Sequence, residues 1–256
     1  MRITFNIRVL FEKPAIRLFQ SSSRLISHFL VLLLMMLYFT PTVASNKYEY
    51  FESQLGLSYF KELTLGQYVN NNDKRIRKWV DDINVYVNGD LPPVLSSELN
   101  SVITEVDQII TVLQIKRVTS EDEANFFMFF GSGESYLDFE PDVRNKTALE
   151  DGMGSFTHMS KGSEIESVSI YYNWALVEDD VISKYILRKL FTHALGIPYQ
   201  SPKYWDSIFA KHPFADVVNE YSSFDKVIIS KLYSECVKAG MGKFELDYVL
   251  LNGCRL

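Results

Sequence analysis

A run of helix-forming residues that ends at a glycine and a proline constrains this chain more than any other feature. Residues 178–195 read "EDDVISKYILRKLFTHAL" and begin with acidic residues, which the helix dipole favours at that end. Gly196 stands where a left-handed residue commonly ends a helix, and Pro198 prevents the helix from continuing. The sequence therefore predicts a helix over 178–195 that is followed at once by a tight turn.

Three apolar runs predict the strands of a sheet. "INVYVNGD" (83–90) alternates between apolar and polar residues, "ANFFMFF" (124–130) is continuously apolar, and "IESVSIYYNWA" (165–175) alternates imperfectly. The segment 137–164 contains a proline and several glycines, so we expect a loop there.

Helical spacing of apolar residues predicts two further helices and a shorter one. An amphipathic helix is expected within 91–113, starting near Ser96 and Ser97, and another over 224–235. The short helix is expected at 74–80. The order of strands and helices predicts an α+β fold in which helices pack against one modest sheet.

The first 45 residues have the composition of an export signal. Five basic residues and one acidic residue give them a net charge of +4, and an uncharged apolar run of eleven residues follows at 29–39. This arrangement predicts a secretory signal peptide over 1–45. The apolar run is shorter than the roughly 20 residues that a membrane span needs, and an uncleaved signal anchor is the alternative.

These patterns divide the chain into a signal segment, a lead-in segment at 46–73 and a domain at 74–256. We expect an exported protein, either periplasmic or secreted. The alternative is a protein anchored in the inner membrane by its N-terminal segment, which would be its only contact with the membrane.

The charge of the chain argues against nucleic acid as a partner. Its formal net charge is −6, and because the first 45 residues carry +4, the remainder carries −10. Such a domain repels phosphates, and no basic patch with interleaved aromatic residues offsets that repulsion.

Both cysteines lie near the end of the chain. In an oxidising compartment Cys236 and Cys254 are expected to form a disulfide, which would stabilise the C-terminal tail by about 2–4 kcal/mol. Two reduced, separately buried thiols are the alternative.

The stretch "RKLFTHALGIPY" (188–199) has the frame of a zinc-peptidase helix without its chemistry. Catalytic zinc takes three protein ligands, commonly two histidines four residues apart on a helix and a third after a glycine turn. With His193 as the second histidine, Gly196 falls at the glycine. The first histidine position is then Lys189, the position of the catalytic glutamate is Leu190, and the third histidine position is Tyr199.

These replacements remove both a metal ligand and the catalytic base. The ammonium of Lys189 repels a metal cation, and Leu190 cannot take a proton from a zinc-bound water. One histidine and the phenol of Tyr199 do not hold catalytic zinc. We therefore expect no catalytic residue, no metal and no cofactor.

Several short motifs, spread over most of residues 74–241, resemble an uncharacterised bacterial family of exported, zincin-like proteins. The resemblance implies a zincin-like, metzincin-type domain with a small mixed sheet, two main helices and a helical C-terminal part. It matches Met241 to the methionine turn beneath the metal of metzincins. Members of the family commonly lack the full metal-binding motif. The motifs are "IRKWVDDINVYV" (76–87), "ANFFMFF" (124–130), "RKLFTHALGI" (188–197), "DSIF" (206–209) and "FDKVIISKLYSECVKAGM" (224–241).

His193 and the segment "GSGES" (131–135) each have a second interpretation. His193 is also explained as a core histidine or as a capping histidine whose positive form the helix dipole favours. "GSGES" (131–135) is expected to be a turn, because it lacks the Lys and Ser/Thr of a phosphate-binding loop.

Two classes of function follow from these observations. The first is a catalytically inactive binding or structural module of the cell envelope, whose cleft, with Lys189, Leu190, His193, Tyr199 and Met241 as candidate residues, binds a peptide, a protein or envelope material. The second is a hydrolase, similar to a peptidase, with a rearranged metal or carboxylate site. Its candidate carboxylates are Glu134, Asp138, Glu140, Glu164 and Glu166.

Overall fold

The computed structural model describes residues 54–66, 74–140, 152–160, 162–211 and 219–252. The chain divides into two units, Met1–Asn46 and Lys47–Leu256, and all described residues belong to the second. No helix in these ranges combines the length and apolar character that a membrane span requires. The predicted signal segment and Cys254 lie outside the described residues.

A six-stranded mixed sheet forms the centre of the second unit. The strand order is β1-β6-β4-β2-β3 with parallel pairing throughout, and β5 adds to β6 in the antiparallel direction. Along most of β6, β5 occupies one side, while β1 and β4 share the other. The strands are β1 Lys78–Trp79, β2 Ile83–Gly89, β3 Ile115–Arg117, β4 Phe126–Phe130, β5 Met153–Met159 and β6 Glu164–Tyr172.

Helices cover the sheet and extend to the C-terminal side. The described α-helices are α1 Gln54–Leu65, α2 Pro93–Ile109, α3 Gly133–Phe139, α4 Asp180–Ala194, α5 Ser223–Leu232 and α6 Lys243–Leu251. Helix α4 packs against α2 and against strands β5 and β6. The predicted α+β class, with a small mixed sheet, two main helices and a helical C-terminal part, is confirmed.

The alternation of side chains along β4 builds a core on each face of the sheet. Phe126, Met128 and Phe130 point into the main core, which also receives the buried faces of α1, α2, α4 and α5. Phe129 points the opposite way, into a small cluster that includes Tyr136 of α3. The main core therefore fixes α4 against one face of the sheet. Because β4 is buried on both faces, its sequence is continuously apolar, and this run predicted the strand.

Three predictions of secondary structure were wrong. The helix predicted at 74–80 is extended chain that ends in β1, because Lys78 and Trp79 pair with β6. Helix α2 starts at Pro93 and not near Ser96 and Ser97, because proline fits the first turn of a helix, where its missing N–H is not needed.

The segment expected to be loop contains regular structure at both ends. The last three residues of α3 and all of β5 fall within 137–164, and "GSGES" continues into the first turn of α3. Ser132 caps that helix by accepting a hydrogen bond from the Ser135 N–H. The glycines around β5 obscured a strand that forms because β6 presents it with an unpaired edge.

Candidate functional site

Helix α4 begins as its sequence predicts. The side chain of Asp179 accepts hydrogen bonds from the backbone N–H groups of Val181 at 2.7 Å and Ile182 at 3.1 Å. These bonds satisfy two of the amide groups that every helix leaves without a partner in its first turn. The negative charge of the carboxylate also interacts favourably with the positive end of the helix dipole.

The end of α4 is held by side chains from two other elements. The Trp79 indole donates to the Ala194 carbonyl at 2.9 Å, and the Tyr233 hydroxyl donates to the Leu195 carbonyl at 2.9 Å. Gly196 has a φ of +100°, and a Cβ atom built there would lie 2.2 Å from the Arg77 carbonyl oxygen. Only glycine fits this turn, so the predicted helix end is confirmed.

Lys189, at the first ligand position of the zinc pattern, is held by neutral groups. Its ammonium donates to the Tyr185 hydroxyl at 2.8 Å and to the Ala210 carbonyl at 2.9 Å, and it lies 5.1 Å from the centroid of the Tyr185 ring. Burial lowers the pKa of this amine to about 8. Among the described residues, no carboxylate oxygen lies within 4.0 Å of it.

His193 lies one helical turn after Lys189, and its imidazole is neutral. The residue is half-buried, but its Nε2 atom is inaccessible and has no hydrogen-bond partner among the described residues. Burial lowers its pKa to about 3, and the nearby charge of Lys189 acts in the same direction. The interpretation of His193 as a positively charged cap is therefore wrong, because loss of hydration outweighs the helix dipole here.

The other predicted cleft residues contact different parts of the molecule. Leu190 packs against the main core. The N–H of Tyr199 donates to the Leu63 carbonyl at 3.2 Å, and the Lys74 ammonium lies 4.4 Å from the centroid of its ring. Met241 accepts a backbone bond from Ile76 at 2.9 Å. Lys189 and His193 are thus neighbours on one helix, whereas Tyr199 faces α1.

The adjacent face of α4 carries a network of buried charge that the sequence patterns did not indicate. Arg188 is 2% exposed, and its guanidinium bonds to Glu98 at 2.9 and 2.7 Å and also to Glu105, both on α2. The guanidinium carbon lies 4.7 Å from the centroid of the Tyr221 ring, and the Tyr221 hydroxyl is 2.6 Å from Thr192 Oγ1. This network joins α2 to α4.

The residues at the end of α4 do not fit a catalytic zinc ion. Within the described ranges, no group of three or more His, Cys, Asp or Glu side chains could hold a metal. Catalytic zinc needs three protein ligands, but the matching positions on α4 supply one neutral imidazole, that of His193, beside the ammonium of Lys189. Tyr185 was not among the predicted cleft residues. It precedes Lys189 by one helical turn, and its hydroxyl accepts a hydrogen bond from the Lys189 ammonium.

The carboxylates considered for an alternative hydrolase lie on the surface. Glu134 and Asp138 are exposed on α3, and Glu164 and Glu166 are exposed near the start of β6. Glu140, at the end of α3, is half-buried.

Cys236 lies in the turn after α5 and is half-buried, with its sulfur 3.6 Å from Ser234 Oγ. Because Cys254 lies outside the described residues, the disulfide between the two remains a prediction.

Comparison with known proteins identifies the family of this chain. Residues 55–252 match the family described as "Protein of unknown function (DUF2927)", and the chain belongs to it. Comparison with curated proteins gives no match.

Solved structures with a related arrangement include two of myroilysin. One is 15% identical, covers 61% of this chain and 85% of its own, and has a TM-score of 0.37. The other is 14% identical, covers 62% and 82%, and has a TM-score of 0.36. These values describe a distant likeness.

Proposed function

We propose that this chain is an exported binding module of the cell envelope, built on a zincin-like scaffold that no longer hydrolyses peptides. The observation that carries the proposal is the position of the Lys189 ammonium, which is fixed by Tyr185 and Ala210 one turn before His193. A bound cation would meet this ammonium at the place where the zinc pattern requires a ligand. The glycine turn is retained because it ends the helix and not because it brings a third ligand.

The binding surface that we propose is the free side of strand β5, with an extended peptide as the partner. Within the described part of the chain, β5 pairs with β6 on one side only. The end of β5 pairs with Ile165, and a Cβ built at Gly196 would lie 3.5 Å from the Cδ1 atom of that residue. An extended peptide that adds to this edge would gain backbone hydrogen bonds and would run above the end of α4.

Hydrolysis by the full chain tests the catalytic half of the proposal. Incubation with an unfolded protein substrate such as reduced casein, with and without added zinc, is expected to give no cleavage above the blank. Cleavage that a chelator abolishes and zinc restores would overturn the proposal. The variant His193→Ala is the matched control, because a contaminating peptidase would cleave equally in both preparations.

Selection of peptides from a random-sequence library on the full chain tests the binding half. We expect the selected peptides to slow amide hydrogen exchange in Met153–Met159, since these amides would enter new backbone bonds. Peptides that protect other segments while leaving β5 unchanged would contradict strand addition.

Mass spectrometry of the chain recovered from an exporting host tests the signal segment, and we expect the residues up to about Ser45 to be absent.

A further inference from the structure

A cavity of about 440 Å³ opens at the start of β1, on the side of the molecule where α2 and α5 end. Its walls include Lys78 and Trp79 of β1, Val112 after α2, and Glu235 and Lys238 after α5. The volume falls in the range of roughly 300–1,000 Å³ that small-molecule sites occupy in proteins.

Lys78 is a buried cation in this cavity without a carboxylate partner. It is 7% exposed, and its ammonium donates to the carbonyls of Ser234 at 3.1 Å and Val237 at 2.8 Å. An ammonium has three N–H donors, so these two bonds leave one of them for a further acceptor. Among the described residues, no carboxylate oxygen lies within 4.0 Å of the ammonium. The ammonium also lies 5.5 Å from the centroid of the Tyr233 ring. All of these contacts are with neutral groups, whereas buried charges are normally paired with an opposite charge.

A second ammonium increases the need for a negative charge. Lys238 also lines the cavity, is exposed, and has no carboxylate oxygen within 4.0 Å among the described residues. Burial lowers the pKa of Lys78 to about 8, and repulsion from Lys238 contributes in the same direction. One bound anion would offset this repulsion. Glu235 at the rim would repel a ligand with several negative charges.

The rest of the wall is apolar and partly open to solvent. Val80 and Val112 line the cavity and are 48% and 51% exposed. Trp79, which is itself buried, also lines the cavity. A ligand with an apolar body would remove both valines from water, and that burial is favourable.

We propose that this cavity binds a small amphipathic monocarboxylate, with its carboxylate on Lys78 and Lys238 and its apolar part against Val80, Val112 and Trp79. The site is separate from the β5 edge and does not depend on the peptide-binding function proposed above.

Octanoate is a suitable probe, and Trp79 is a built-in reporter. The chain has three tryptophans, and the other two, Trp174 and Trp205, do not line the cavity. In the full chain carrying Trp174→Phe and Trp205→Phe, Trp79 fluorescence is titrated with sodium octanoate, 1-octanol and octylammonium chloride. The three probes share one apolar chain and differ in the head group. Calorimetry on the unmodified chain provides the affinity.

We expect octanoate to change the Trp79 signal saturably, octanol to bind at least about tenfold more weakly, and octylammonium not to bind. Lys238→Gln removes one exposed charge and should weaken octanoate about five- to tenfold. Lys116→Gln removes an exposed charge on β3, at a residue that does not line the cavity, and should leave the affinity nearly unchanged. Equal binding of the three probes, no binding of octanoate, or equal losses in the two lysine variants would each overturn the proposal.

Discussion

Two adjacent faces of helix α4 surround a positive charge with different groups. On one face, Arg188 is enclosed by Glu98 and Glu105 of α2 and by the ring of Tyr221. On the other, the ammonium of the next residue, Lys189, bonds to a hydroxyl and a carbonyl, and the neutral imidazole of His193 has a nitrogen without a hydrogen-bond partner in the described part of the chain. Arg188 is thus paired with carboxylates, whereas the adjacent Lys189 is bonded to neutral groups.

This difference separates a structural network from a candidate site. The Arg188 network satisfies its charges and joins two helices, which explains its presence without any ligand. The Lys189 and His193 pair gains little for stability, because both groups lose hydration without an opposite charge in return. Groups whose surroundings disfavour their charged forms are enriched at functional sites, and Lys78 in its cavity follows the same pattern.

Removal of the Arg188 guanidinium should produce the largest loss of stability. Arg188→Met leaves Glu98 and Glu105 without their buried partner, and we expect the free energy of unfolding to fall by roughly 3–5 kcal/mol. Urea denaturation followed by circular dichroism measures this loss. Arg117→Met, at an exposed arginine that bonds to Asn100, is the control and should cost less than about 1 kcal/mol. Equal losses in the two variants would remove the distinction between the two faces.

The turn that ends α4 supports both faces, so its disruption should rank second. Gly196→Ala places a methyl group against the Arg77 carbonyl at a φ of +100°, and we expect a loss of about 2–3 kcal/mol. Gly162→Ala is the matched control, because a Cβ there meets its nearest atom at 3.6 Å. Thermal unfolding of both variants measures the difference. A small effect at Gly196 would mean that the turn can relax and does not fix the position of His193.

The neutral imidazole of His193 predicts a loss of stability in acid. The folded chain holds this pKa at about 3 and the unfolded chain near 6.5, so only the unfolded chain takes up the proton between those values. Stability should therefore fall as pH decreases through that window, by about 2 kcal/mol between pH 7 and pH 5 from this group alone. His193→Gln should lose that much less than the unmodified chain over the same interval in urea denaturation. Identical pH dependence in the two proteins would show that the imidazole is not buried in its neutral form.

The smallest change in the free energy of unfolding is expected at Lys189, in contrast to the large loss expected at Arg188. Lys189→Met removes two hydrogen bonds but also a poorly hydrated ammonium, so the free energy of unfolding should change by less than about 1 kcal/mol. The pKa of His193, followed by NMR, should rise, because the charge that opposes its protonation is gone. Lys184→Met, on the same helix, should leave that pKa where it was. A loss like that of Arg188→Met would contradict the assignment of Lys189 to the face with neutral partners.

The sequence was informative where burial imposes a regular pattern. The strands β2, β4 and β6 and the helices α2, α4 and α5 carry apolar residues at the spacing of their secondary structure, and all six were predicted. The end of α4 was also predictable, because the conformation of Gly196 depends on the chemistry of one residue.

The elements that sequence patterns missed depend on distant partners. Strands β1 and β5 form because β6 presents them with an edge, and neither has enough alternation of its own to indicate a strand. Within the candidate site, Tyr185 could have been expected near Lys189 from helical spacing. The carbonyl of Ala210 could not, because it reaches Lys189 through the fold of the loop that follows α4.

The zinc content of the full chain shows directly whether the end of α4 is a metal site. The chain is to be purified without metal-affinity steps, dialysed against a buffer containing micromolar zinc, and analysed by mass spectrometry for metal per chain. Because Lys189 and Leu190 replace a ligand and the base, we predict less than about 0.1 zinc per chain, with no change on His193→Ala. One zinc per chain that His193→Ala abolishes would contradict the account, because it would show that the end of α4 is a working metal site.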